Sequence, residues 1–145
     1  MSALYFRNVD ASPRDAVDTW PFEALATVLD RGLVDDWRPV FAEIRRSPWG
    51  PTARRVERYL EFRDPDGVNT LFTLAIERAR QDHERADRDT AAERVRAAVE
   101  RSGMTKAEFA SQVGTSASRL STYLSGKVTP SAAMLVRIER TSNSP

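Results

Sequence analysis

The sequence predicts an all-α protein made of two helical parts. Three observations lead there. Apolar residues recur at spacings of three and four from Trp20 to Ile138. No segment alternates apolar and polar residues for long enough to make a strand. Glycine and proline interrupt the pattern at helix-length intervals.

Residues 1–17 hold few apolar positions without a clear period, and are expected to form a flexible arm. A first helix is expected over Pro21 to Arg31, with Phe22, Leu25, Val28 and Leu29 on one face and Gly32 as its stop. A second starts at Asp35 or Asp36 as N-cap and carries Trp37, Val40, Phe41 and Ile44. Pro39 then falls in its first turn, where a missing N–H costs nothing.

The turn Ser47-Pro48-Trp49-Gly50-Pro51 leads into a third helix, Thr52 to Phe62, with Ala53, Val56, Tyr59 and Leu60 inward. Asp64-Pro65-Asp66-Gly67 ends it. A fourth begins near Val68 and includes Leu71, Phe72, Leu74, Ala75 and Ile76 before turning polar over Arg78 to Asp89. Residues 78–89 are either a solvated helical linker or an unbroken extension into the next helix, and Thr90-Ala91-Ala92-Glu93 reads as a capping box; a domain boundary is placed there, with 18–89 as an amino-terminal helical domain ending in a charged helical linker and 90–145 as a second domain. The tryptophans Trp20, Trp37 and Trp49 are expected in the first domain's core.

The second domain divides into four short helices. Glu93 to Ser102 stops at Gly103. Thr105 to Val113 opens with the capping box Thr105-Lys106-Ala107-Glu108 and stops at Gly114. Ser116 N-caps a helix to Ser125, before Gly126, and a last helix after Pro130 carries Met134, Leu135 and Ile138. Helices this short must pack together to be stable.

Composition narrows the function. No cysteine is present, which excludes disulfides and thiolate metal sites and fits a cytoplasmic setting. The first twenty residues lack the pattern of a secretory signal, and no apolar run is long enough to span a membrane. His83 is the only histidine, so a catalytic triad or a histidine metal site has no second member; neither enzyme activity nor a cofactor is expected. Residues 1–89 carry 14 basic against 17 acidic residues, a net −3, while residues 90–145 carry 8 against 4, a net +4. The basic end is the one suited to a polyanion. Both lysines, Lys106 and Lys127, lie there.

The pair of helices in KAEFASQVGTSASRLSTYL has small Ala110 where two helices would cross, Gly114 in the turn, and Phe109, Val113, Leu120 and Tyr123 between the helices. With Gly126-Lys127 and Pro130 following, residues 90–141 resemble the Cro and phage-repressor family, the Xre-like class of bacterial helix-turn-helix domains. The resemblance implies a Cro/repressor-like helix-turn-helix domain whose helix 116–125 enters the major groove of double-stranded DNA. It implies base-edge contacts from Ala117, Ser118 and Thr122, with Arg119 either forking onto guanine or gripping a phosphate. It also implies phosphate contacts from Lys106, Ser116, Ser121 and Lys127. The function so implied is a sequence-specific transcriptional regulator, a homodimeric repressor. The alternative is an antitoxin-type or adaptor protein that binds a protein partner through residues 18–89, with DNA binding serving autoregulation. Thr115 stands where the family has a branched apolar residue. The family's usual fifth helix is missing, so amino-terminal helices or a second subunit are expected to complete the core.

Overall fold

The computed structural model describes residues 4–7 and 9–144, and over these the chain is all-helical, without a strand. After a 3-10 turn, Val17–Thr19, come α1 (Phe22–Arg31), α2 (Val34–Arg46), α3 (Pro51–Phe62), α4 (Gly67–Ser102), α5 (Lys106–Val113), α6 (Ala117–Leu124) and α7 (Ala132–Ser142). Two compact units divide within α4, between Asp82 and His83.

The core of the first unit follows the helical periodicity except at Phe22 of α1, which was expected inward but is half-buried and lies outside the buried cluster. Leu25, Val28 and Leu29 of α1, Val40 and Ile44 of α2, Ala53 and Val56 of α3, and Phe72, Ile76 and Ala79 of α4 are all buried. Phe72 stacks on Phe41 with ring centroids 4.6 Å apart and meets Trp37 edge-on at 5.9 Å. Trp37 also donates its indole N–H to the carbonyl of Val28, at 2.9 Å, which satisfies the one polar atom its burial would otherwise strand. Asp66 caps α4 by accepting from the amides of Val68 and Asn69, at 2.9 and 3.2 Å.

Several expectations are corrected here. Within the span expected to be a flexible arm, the described residues Leu4, Phe6, Val9 and Val17 pack on the core, and Phe6 meets Trp20 edge-on at 5.1 Å. These four residues have no helical period, so periodicity did not expose their apolar role; residues 1–3 and 8 lie outside the described set. Asp36 is not the N-cap of α2 but sits three residues inside, its carboxylate accepting from the amide of Leu33 at 2.7 Å. The helix consequently starts earlier, and Pro39 is its sixth residue, beyond the first turn. Pro39 and Asp35, whose carbonyl loses its amide partner, are both exposed, so water can replace the missing donor. Trp20 is buried and Trp37 partly so, but Trp49, in the turn between α2 and α3, is 46% exposed.

The capping box expected at Thr90 does not form, and the helix expected at 93–102 is not separate. Thr90 is an exposed residue in the interior of the 36-residue helix α4. An N-cap needs extended backbone, and nothing before Thr90 breaks the helix: residues 78–89 contain no Gly or Pro. They are rich in helix-favouring side chains and include an ion pair at helical spacing, Arg78 to Asp82 at 3.1 Å.

In the second unit Val95 and Ala98 of α4, Phe109, Ala110 and Val113 of α5, Leu120 and Tyr123 of α6, and Ile138 of α7 form one buried cluster. Helices α5 and α6 have eight residues each, too short to stand alone in water, and this cluster is what holds them.

Candidate nucleic-acid interface

The hinge between α5 and α6 is fixed by backbone chemistry. Thr105 accepts from the amide of Glu108 at 3.2 Å, and Glu108 accepts from the amide of Thr105 at 3.1 Å, completing the reciprocal capping box. At the other end Gly114 turns left-handed, φ 79°. This lets the amide of Thr115 reach the carbonyl of Ala110 at 2.9 Å and that of Gly114 reach Ser111 at 3.3 Å. Ser116 then caps α6 by accepting from the amide of Arg119 at 3.1 Å.

Two arginines hold the free carboxyl-terminal ends of these helices. Arg137 of α7 donates to the carbonyl of Val113 at 3.1 Å, and Arg96 of α4 donates to that of Leu124 at 2.7 Å. A cation at a helix carboxyl end satisfies a spare carbonyl and opposes the helix dipole. Both arginines escaped sequence reasoning. Each looks like ordinary helix-surface charge, and only tertiary structure puts it over another helix's last turn.

The face of α6 opposite its buried side presents the residues expected there. Ala117, Ser118, Arg119 and Ser121 are exposed and Thr122 is half-buried. Ser121 donates its hydroxyl proton to the carbonyl of Ala117 at 3.1 Å, and Thr122 donates to that of Arg119 at 2.6 Å. In this arrangement both hydroxyls turn acceptor lone pairs outward. The Ser116 oxygen accepts from an amide, which leaves its own proton available, with Ser118 Oγ 3.4 Å away. Arg119 is exposed, and its guanidinium meets no carboxylate among the described residues. Lys106 opens α5 and Lys127 follows α6; both are exposed and likewise without a carboxylate partner among the described residues. The unit therefore carries an exposed helix face with short polar side chains, one long guanidinium, and two unneutralised ammonium groups on the adjoining segments.

Among the described residues no group of three or more His, Cys, Asp or Glu is arranged to hold a metal ion, and no helix is long and apolar enough to cross a membrane.

A family profile described as a helix-turn-helix domain matches residues 90–141. That span covers the end of α4 and all of α5 and α6, and it ends within α7. No curated protein and no solved structure matches the chain.

Proposed function

We propose that this carboxyl-terminal helix-turn-helix domain makes the protein a sequence-specific transcriptional regulator, a dimeric repressor that lays α6 in the major groove of DNA. The observation that carries the reading is the capped and clamped α6 with its exposed Ala117, Ser118 and Arg119 and half-buried Thr122, beside Lys106 and Lys127, which meet no carboxylate among the described residues. In this reading Ala117 offers a methyl to thymine, Ser118 and Thr122 offer hydroxyls to base edges, and Arg119 reaches a guanine. Lys106, Ser116, Ser121 and Lys127 hold phosphates and set the register. Bound as a dimer over a promoter, the protein would block polymerase in the bacterial cytoplasm.

Dimerisation follows from arithmetic: one recognition helix reads too few base pairs for genomic specificity, and two-fold symmetry doubles the site. Leu33 and Val34 at the start of α2 and Leu71 and Leu74 at helical spacing on α4 are exposed at 68, 58, 43 and 56%, apolar side chains that a second copy could cover. The same leucines would suit the second reading, an adaptor or antitoxin-type protein that holds a protein partner there.

The test is to select binding sites from random duplexes and measure affinity for the winner and for random DNA as salt is raised. A selected pseudo-palindrome, and a fall in affinity of orders of magnitude between about 50 and 200 mM salt, are expected. Failure to enrich any sequence, with weak binding at every salt concentration, would reject the regulator reading.

A further inference from the structure

Helix α3 presents a second chemically distinct surface, in the unit that ends at Asp82. Arg55, Arg58, Tyr59 and Phe62 recur at helical spacing on one of its faces, and with Phe22 of α1 they line a depression of about 480 Å³. Phe22 and Tyr59 meet edge-on at 5.5 Å, making an aromatic corner, while Phe62 stands 74% exposed as a wall. The Tyr59 hydroxyl is already committed to Asp30, so the ring contributes an apolar surface rather than a hydrogen bond.

The rim is cationic and uncompensated. Arg55 gives one N–H to the carbonyl of Trp20 at 3.0 Å and keeps its others. Arg58 is exposed, and neither guanidinium has a carboxylate within ion-pair distance among the described residues. Elsewhere in the unit Arg38, Arg46, Arg63, Arg78 and Arg80 pair with acids, whereas Arg7, Arg14, Arg31 and Arg54, none of which lines this depression, meet no carboxylate among the described residues. Two unneutralised guanidiniums therefore stand beside three aromatic rings, in the part of the chain whose net charge is negative. The volume falls within the range of small-molecule sites, and guanidinium is suited to bidentate recognition of a carboxylate.

We infer that this depression binds a small organic acid, a carboxylate carried on an aromatic or aliphatic body. The apolar body lies against Phe22, Tyr59 and Phe62, and the carboxylate meets Arg58 with Arg55 behind it. This inference is independent of DNA recognition, since none of its residues belongs to the helix-turn-helix.

The experiment uses the full chain and three probes: 4-phenylbutyrate, its neutral amide, and a short acidic peptide with a central phenylalanine. Binding is followed by saturation-transfer NMR and calorimetry. The acid is expected to bind about tenfold more tightly than the amide, the margin a charge-assisted hydrogen bond provides. Arg58→Ala should remove most of that margin, and Arg58→Lys should retain part of it. Phe62→Ala should weaken acid and amide alike. Both side chains are exposed, so the melting temperature and DNA affinity of the variants should match those of the parent. Equal affinity for acid and amide, absence of binding by the acid, or indifference to both Arg58→Ala and Phe62→Ala would overturn the proposal. So would binding of the peptide in preference to the free acid, which would make the surface a protein-docking site.

Discussion

At the scale of single residues, Arg119 and Lys106 are expected to fail differently. If Arg119 reads a guanine, Arg119→Ala costs about 1–3 kcal/mol on the selected site and relaxes preference at one base pair. Lys106→Ala should weaken selected and random DNA equally and lower the salt slope by about one unit. Competition binding at several salt concentrations separates the two, and equal losses on every sequence would reassign Arg119 to a phosphate. Arg96 acts at one remove, through the carbonyl of Leu124. Arg96→Ala should speed hydrogen exchange of the Ser125, Gly126 and Val128 amides at the end of α6, an effect that unchanged exchange rates would exclude. Tyr59 gives a pH signature. Burial first, then its hydrogen bond to Asp30 and that carboxylate's charge, raise its pKa from 10.0 to about 12. The neutral phenol is thus favoured by folding, so its stabilisation is complete below pH 10 and is lost as pH rises from 10 towards 12. Melting curves across that window should fall less steeply for Tyr59→Phe.

At the scale of elements, the same substitution should have opposite effects at two glycines. Gly114→Ala places a Cβ 3.6 Å from Arg137 Nη1, an ordinary contact, so the cost is that of a left-handed alanine, about 1–2 kcal/mol. Gly67 opens α4 with nothing within 4 Å of an added Cβ, and Gly67→Ala should stabilise by about 0.5–1 kcal/mol. Denaturant melts of the two variants should move in opposite directions, and a stabilising Gly114→Ala would refute the left-handed turn between α5 and α6. The helices also show what capping signals can and cannot say. Thr105-Lys106-Ala107-Glu108 follows Gly103, itself left-handed at φ 67°, and forms its box. Thr90-Ala91-Ala92-Glu93 follows Arg88 and Asp89 inside a helix and does not. The four-residue pattern is the same in type; the broken backbone ahead of it decides the outcome.

At the scale of the whole molecule, the regulator reading requires two copies on one site. Sedimentation of the protein with its selected duplex is expected to give two chains per DNA, with half-sites about one helical turn apart. Leu71→Lys with Leu74→Lys should weaken this assembly if the first unit supplies the contact, while leaving Phe72 and Ile76 of the same helix buried. A complex of one chain per duplex, at concentrations where binding is saturated, would contradict the dimer. Normal DNA-bound dimers of the double variant would move the interface elsewhere.

The helical class, the inward faces of α1 to α3, and the limits of α5 and α6 were legible in the sequence, because each rests on local chemistry: a 3.6-residue period, a capping hydroxyl, a glycine free to turn left-handed. The exposed residues of α6 were legible for the same reason, since the periodicity that buries Leu120 and Tyr123 leaves Ala117, Ser118 and Arg119 outside. Contacts between distant residues were not. Phe6 against Trp20, Arg96 on Leu124, Arg137 on Val113, and Arg55 and Arg58 beside Phe22 join positions between 14 and 36 residues apart. No local pattern encodes such pairs. An arginine on a helix surface has the same sequence signature whether it faces water, a carbonyl or an aromatic ring, and only the packing of the helices determines which it meets.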